Sequence, residues 1–487
     1  MVHSATPSLS TDTLDNIPVH LPPELLRTIF ALATDKKFNL TQDFTNDDRI
    51  RLSHVCSSWR SVLLGMKELW SDMVIDLEAH PRILAVASRF LSRADGVPLS
   101  ISVRMNGAAN YAPRDPSADE FIDKIILPYA AFTQSLRLYV PFRYISMLLT
   151  LPFALSFPIL ESLSLRQASY GILSQTAIPT TPHLSFPRLH TFEFGARLPE
   201  HKSLLEVPQL SFIQWTQITT LMIRRHIAAK TAYDILATCT GLRTLWANLN
   251  SIDPDERARL YGSPGLYLPH LERLHIRFCT SMGFSLFLSL LNLPSIRDLA
   301  LKETDGNGLG WSSVLDDFLL NRCGSHLENI FISNSRYDDE LEAVVPGERQ
   351  FFLQKHALTL RRLSVSCLPL TGGQTVRQLI SGEMCPQLEA LSLNLCPIDD
   401  PFEQLDYVLS AVKDVRSEGR QPPVKDLYLY NLCLHPTINK AISTRFDSQL
   451  RKIRKCGWRN FVSHIYDCSS CAHDPQVFES DWFGYSA

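Results

Sequence analysis

Near its C-terminal end the sequence reads SHIYDCSSCAHD over residues 463–474. His464, Cys468, Cys471 and His473 in this stretch are residue types that ligate zinc. The two cysteines form a C-x-x-C pair with a histidine on either side. A structural zinc site usually draws on two well-separated ligand pairs, whereas here all four residues crowd into one short segment. The segment therefore reads as a C-terminal cap with incidental cysteines, and neither metal nor cofactor is expected. TDGNGLGW at 304–311 has glycines but lacks the lysine of a phosphate-binding loop, so it reads as a turn. No G-x-S-x-G elbow and no H-E-x-x-H helix occurs. No catalytic set emerges from the scattered His, Asp and Glu residues, and the chain is not expected to be an enzyme. Two basic clusters remain. IRRHIAAK at 223–230 reads as a solvated turn after a strand, with contact to an acidic partner as its alternative, and RKIRKCGWRNF at 451–461 as the polar outer face of a capping helix. A nuclear-import or anionic-partner patch is the alternative for the second.

The elements that would position such residues follow from composition and pattern. With 487 residues, 45% hydrophobic and 20% charged, the chain exceeds one ordinary domain and can bury a large core. A net charge of -3 gives no electrostatic reason to expect nucleic acid as a partner. The opening MVHSATPSLSTDTLDN has no apolar segment of a secretory signal, and no run approaches the ~18 apolar residues that span a bilayer. The expectation is an intracellular protein, cytoplasmic or nuclear or both, without a membrane partner. Its eleven cysteines would then serve mostly as small buried hydrophobes.

Residues 17–30, IPVHLPPELLRTIF, place Pro22 and Pro23 where the first turn of a helix tolerates a missing N–H. Glu24 then suits the positive end of the helix dipole. Leu25, Leu26, Ile29 and Phe30 follow at helical spacing. The polar stretch TDKKFNLTQDFTNDDR reads as a loop. Leu52, Val55, Cys56 and Trp59 repeat at three or four residues and predict a second helix, continued by Val62 and Leu63 and stopped at Gly65. KELW adds a short third element anchored by Leu69 and Trp70, and MVID reads as a first strand. So few small helices cannot bury this many large side chains among themselves. The apolar surface either meets a partner or packs on the rest of the chain.

LPPELLRTIF followed by RLSHVCSSWRSVLLGMKELWSDMVID resembles an F-box. The Leu-Pro-x-Glu-Leu start, the Val-Cys-x-x-Trp helix and the Leu-Trp end are present in that order. The extended loop after the first helix is similar to fungal, basidiomycete-type, F-box proteins. The resemblance implies docking on the Skp adaptor of a cullin–RING ubiquitin ligase. It assigns Leu21, Pro22, Leu25, Leu26, Ile29, Phe30, Leu52, Val55, Cys56, Trp59, Leu69 and Trp70 to that surface. Some of these, Trp59 above all, can equally be core of the unit itself, and sequence does not sort the two roles.

Beyond this unit one phrase recurs: FPILESLSL, FPRLHTFEF, LPHLERLHI, LPSIRDLAL, SHLENIFI, LTLRRLSV, CPQLEALSL and PPVKDLYLY. Looser copies are WTQITTLMI and TGLRTLWAN. The third anchor of each falls at Leu163, Phe192, Leu221, Leu245, Leu274, Leu299, Ile330, Leu363, Leu391 and Leu427. That spacing suits leucine-rich repeats with some lengthened members. Helical patterns such as TAYDILATC, FSLFLSLLN and LDYVLSAVKDV lie between several copies, so each unit reads as helix, turn, strand. PLSISVRM and QSLRLYV suggest two early, degenerate strands, preceded by a helix at PRILAVASRFLSRA. Stacked units would share a core, with parallel strands on a concave side and helices outside.

The expected fold class is α/β: a small all-helical F-box followed by a leucine-rich repeat solenoid. The expected divisions are a tail over 1–16, the F-box over 17–76, a connecting helix with degenerate repeats over 77–150, the solenoid over 151–450 and a cap and tail over 451–487. The resemblance implies a substrate-recognition subunit of an SCF-type ligase, its F-box on the Skp-type adaptor and its repeats on a target protein. The alternative is a non-degradative repeat scaffold.

Overall fold

A computed structural model describes residues 21–35, 37–80, 82–105, 117–168, 184–195, 212–250, 254–278, 281–303, 313–333, 351–365, 373–394, 401–417, 419, 421–434 and 448–467. Helix α1 spans Pro23–Ala33, α2 Asp48–Ser53, α3 Ser57–Gly65 and α4 Ile83–Leu91. Pro22 opens α1, its carbonyl accepting from the amides of Leu25 and Leu26 at 3.0 and 3.1 Å. Fifteen strands then form one parallel sheet in chain order. The first eight are β1 Phe38–Leu40, β2 Asp72–Asp76, β3 Leu99–Arg104, β4 Thr133–Val140, β5 Ser162–Gln167, β6 Thr191–Gly195, β7 Thr220–Ile227 and β8 Thr244–Leu249. The other seven are β9 Arg273–Phe278, β10 Asp298–Glu303, β11 Asn329–Ser333, β12 Arg362–Val365, β13 Ala390–Asn394, β14 Asp426–Leu434 and β15 Asn460–Asp467.

The ten anchors read from the sequence stand in a single register column, each paired with the next across neighbouring strands. The column also extends upstream through Phe38, Met73, Ile101 and Leu136, and downstream to Phe461. From Phe38 to Leu427 no member is more than 2% exposed. These side chains share one apolar core with helix residues such as Leu236, Leu288 and Leu379, so the column faces the helices. A smaller cluster of Ala300, Phe331 and Ala390, with Tyr428 against it, comes from the alternate residues and lies on the opposite face.

The prolines that introduce the repeats have a local reason. In FPIL, FPRL, LPHL, LPSI and CPQL the proline is the second residue of a turn, a position its fixed φ suits. The turn closes by an amide-to-carbonyl bond three residues back: Leu160 to Phe157 and Leu189 to Phe186 at 3.3 Å, and Leu388 to Cys385 at 3.1 Å. It delivers the chain directly into the next strand. Parallel neighbours need a crossover each time, and helices over Ala229–Thr238, Ser281–Leu290, Gly373–Ser381 and Pro401–Ser417 supply several.

One pattern in these turns escaped the sequence reading. The residue two before the column runs Arg243, Glu272, Arg297, Glu328, Arg361, Glu389 and Lys425 on the approach to β8 through β14. Charge sign alternates from strand to strand. Arg243–Glu272 and Arg297–Glu328 approach at 3.8 Å and Lys425–Glu389 at 3.9 Å. Each exposed pair is worth little alone, but the series sets unlike charges against each other along one edge of the sheet.

Three expectations need correction. The N-terminal unit is not all-helical: residues 38–40, read as loop, form β1 and pair with β2. Phe38 and Leu40 are buried on either side of exposed Asn39, so even three residues satisfy strand alternation. Buried Arg49 steadies this stretch, pairing with Asp47 at 3.0 Å, donating to the Asp35 and Lys37 carbonyls, and lying 5.3 Å from the Phe38 ring. The predicted second helix is two helices. Cys56 breaks it by adopting extended backbone (φ -158°, ψ 170°), and its Sγ accepts from the Trp59 amide as the cap of α3. Finally, IRRHIAAK is not a turn after a strand, because β7 continues through Ile227.

Candidate functional site

Two surfaces can meet other molecules. The first lies on α1. Leu25, Ile29 and Leu32 recur at four- and three-residue steps on one helix face, and they are 53%, 40% and 83% exposed. Leu26 and Phe30, on the other face of the same helix, are buried. Phe30 meets the Trp59 ring edge-on at 5.3 Å, which fastens α1 to α3. The twelve residues assigned by resemblance therefore fall into three groups. Pro22, Leu25, Ile29, Val55 and Cys56 are exposed. Leu21, Leu52 and Trp59 are half-buried, and Leu26, Phe30, Leu69 and Trp70 are buried. Trp70 packs on Phe38 and Phe90 and donates from Nε1 to the Leu63 carbonyl.

The second surface is the sheet face opposite the helices. Residues from β5 to β10, far apart in sequence, meet there. Arg166 on β5 and Arg224 on β7 flank the Glu193 carboxylate on β6, Arg166 at 3.7 Å and Arg224 closer. Ser164 donates to the same carboxylate at 2.8 Å. Gly195 leaves the two arginine stems room: a Cβ there would lie 3.3 Å from Arg166 Cγ and 3.6 Å from Arg224 Cβ. On β8, Trp246 has the guanidinium carbons of Arg224 and Arg277 at 5.0 and 5.5 Å from its ring. His275 on β9 stacks on that ring at 4.0 Å. Trp246, His275, Met222 and Ala300 line a slight dip in this face, rimmed by Arg273 and Asp298, themselves 3.1 Å apart.

Burial first, and then the charges of Arg277, Lys302 and Arg224, hold the His275 imidazole well below its ordinary range. Three cations on three strands thus act on one ring. His356, buried under the Leu319 carbonyl, is also lowered, by burial foremost and by Lys355, with its backbone hydrogen bond opposing. The sign for stability follows. Above about pH 6.5 both histidines are neutral in the folded and unfolded states. As pH falls through the unfolded value, the unfolded chain takes up protons that the native state refuses, and stability drops. The expected result is a lower urea midpoint at pH 5.5 than at pH 7.5, by up to about 1.4 kcal/mol per pH unit for each proton. His275→Gln should flatten this slope, and an unchanged slope would contradict the assignment.

Buried thiols behave as hydrophobes: burial pushes Cys239 and Cys385 up to about 12. Cys468, Cys471 and His473 lie outside the described residues, and His464 is placed on β15 by its backbone alone. TDGNGLGW also lies outside them. Among the described residues no group of three or more His, Cys, Asp or Glu side chains could hold a metal ion. No helix among them is long and apolar enough to cross a membrane.

Arg224 stands in the basic cluster IRRHIAAK, but its joining with Arg166, Arg277 and Lys302 was hidden because the four belong to different repeats. The signal that links them was positional. Each stands three residues after the column residue of its strand, at Leu163, Leu221, Leu274 and Leu299.

No protein-family model matches the chain, and no curated protein matches it. One similar solved structure is the leucine-rich repeat-containing protein LegL7 from Legionella pneumophila. It is 16% identical, with 70% of this chain and 95% of that chain covered and a TM-score of 0.31.

Proposed function

We propose that this chain is a substrate-recognition subunit of an SCF-type cullin–RING ubiquitin ligase, with its N-terminal helices docking the Skp-type adaptor and its repeats holding a target protein. The observation that carries the reading is the exposed Leu25–Ile29–Leu32 face of α1, set in an F-box-like sequence whose other helix face is buried. Covering such side chains would contribute ~1.5–3 kcal/mol each. The chain contributes no catalytic group in this reading. It raises the effective concentration of a target lysine near a ubiquitin-loaded conjugating enzyme, and proximity does the rest.

Co-purification with a recombinant Skp-type adaptor tests it. Wild type is expected to form a stable complex. Leu25→Glu with Ile29→Glu should weaken it at least ~100-fold, about 2.7 kcal/mol, because two apolar contacts are lost and two charges would be buried. Both side chains are exposed on the α1 face, so the variant should keep a melting temperature near that of wild type. Failure of folded wild type to bind would sink the ligase reading and leave a repeat scaffold.

A further inference from the structure

Three neighbouring strands share one short phrase. β3 carries SISVR over residues 100–104, β5 carries SLSLR over 162–166, and β4 between them carries SLRLY over 135–139. Register lays their alternate residues side by side on the face opposite the helices. Ser100, Ser135 and Ser162 form one row, Ser102, Arg137 and Ser164 the next, and Arg104, Tyr139 and Arg166 the third. No carboxylate stands at any of these positions. The patch measures ~10 Å across the strands and ~13 Å along them.

Acids stand on the flanking strands instead. Asp72 and Asp76 lie on β2, where Asp76 is 3.6 Å from Arg104. Glu193 lies on β6, held by Ser164 at 2.8 Å and Arg166 at 3.7 Å. Arg137 is exposed, and among the described residues no ion pair or hydrogen bond engages its guanidinium. The hydroxyls of Ser100, Ser102, Ser135 and Ser162 are half-buried and equally unengaged among those residues. The patch is open to a ligand, with the Arg104 and Arg166 side chains 43% and 38% exposed. Arg166 leans over β4, 5.4 Å from the Tyr139 ring.

We propose that this patch on β3–β5 binds the phosphate of a phosphoserine or phosphothreonine in a partner protein, with Arg137 as its principal ligand and the serine hydroxyls donating to the remaining oxygens. Glu193 is the template, because the Ser164–Arg166 arm of β5 already holds one anion. β3 repeats that arm as Ser102–Arg104, so an anion over β4 meets one arm on either side. An arginine fork with hydroxyls around it suits the three acceptor oxygens of a phosphate monoester better than the planar pair of a carboxylate. A single unpaired cation bounded by acids suits one phosphate, and not the repeated charges of a nucleic-acid backbone.

The inference rests on the repeats being the target-holding half of the proposed receptor, and it does not require the adaptor. Its test omits the adaptor for that reason, so its failure and the failure of adaptor docking are read in separate experiments. Fluorescence anisotropy of the full chain is measured with a labelled pool of short peptides, degenerate except for a central phosphoserine. Pools with serine or glutamate at that position, and an oligothymidylate, run beside it. The phosphoserine pool should bind and weaken as salt is raised, and the serine and glutamate pools should bind at least ~10-fold more weakly. Arg137→Gln should lower phosphoserine affinity at least ~10-fold at unchanged melting temperature, as expected for lost charge-assisted hydrogen bonds of an exposed side chain. Should that variant unfold, Ser102→Ala is expected to lower affinity ~3-fold. No binding of the phosphoserine pool, equal binding of the glutamate pool, equal binding by either folded variant, or tighter binding of the oligothymidylate would each overturn the proposal.

Discussion

Trp70→Ala is expected to destabilise the protein by ~3–5 kcal/mol, the usual cost of emptying a buried tryptophan site. Trp70 is fully buried. Its ring stacks on Phe90 at 5.2 Å and meets Phe38 edge-on at 5.3 Å, and Phe38 and Phe90 meet each other at 4.9 Å. Three distant segments thus converge: β1, the 3-10 turn Lys67–Trp70 and α4. Alanine would leave a cavity bounded by two unsupported rings and would release the Leu63 carbonyl from its bond to Nε1. Urea denaturation followed by circular dichroism should show the lower midpoint. A Trp70→Ala protein of wild-type stability would remove Trp70 from the core and return it to the docking surface. The contrast with Leu25→Glu/Ile29→Glu is diagnostic, since that pair should lose adaptor binding without losing stability. Combining a Trp70 substitution with one on the α1 face would therefore confound docking with folding.

Gly324→Ala should cost about 3 kcal/mol or more, at the upper end of what overpacking does. A Cβ at this position would sit 1.8 Å from the Pro294 carbonyl oxygen and 2.7 Å from its carbon. Those are backbone atoms, and they cannot swing aside. The contact is fixed from both sides, because the Leu293 amide donates to the Arg322 carbonyl at 2.7 Å and the Gly324 amide to the Leu293 carbonyl at 3.1 Å. Relief requires pulling the Pro294 turn away from the Gly324 segment that leads into the next strand. Gly65→Ala is the control. A Cβ there meets nothing within 4 Å, and its helical position favours alanine slightly. Equal melting temperatures for the two alanine variants would refute the close approach at Gly324.

The repeats were legible because their physics is local. A large apolar residue two before another, often behind a proline turn, states both the strand and the face it buries, and ten such anchors fall in one column. β1 was not legible: Phe38 and Leu40 are two apolar residues inside the polar run TDKKFNLTQD, and they become a strand only because β2 lies beside them. The break between α2 and α3 was hidden for a related reason. Helical spacing of Leu52, Val55, Cys56 and Trp59 survives the interruption, and only the backbone of Cys56 reveals it. At the N-terminus, sequence could mark apolar residues but could not divide Leu25 from Leu26, since exposure depends on which face α3 takes. The cationic row was the least legible, because register joins residues that separate repeats contribute.

The alternating charges on the approach to β8 through β14 constrain how such a chain can change its length. Deleting or duplicating one repeat between Arg243 and Lys425 would bring two like charges side by side along the edge, whereas losing or gaining two would restore the order of signs. In this stretch the repeat is the unit of structure, but a pair of repeats is the unit of exchange.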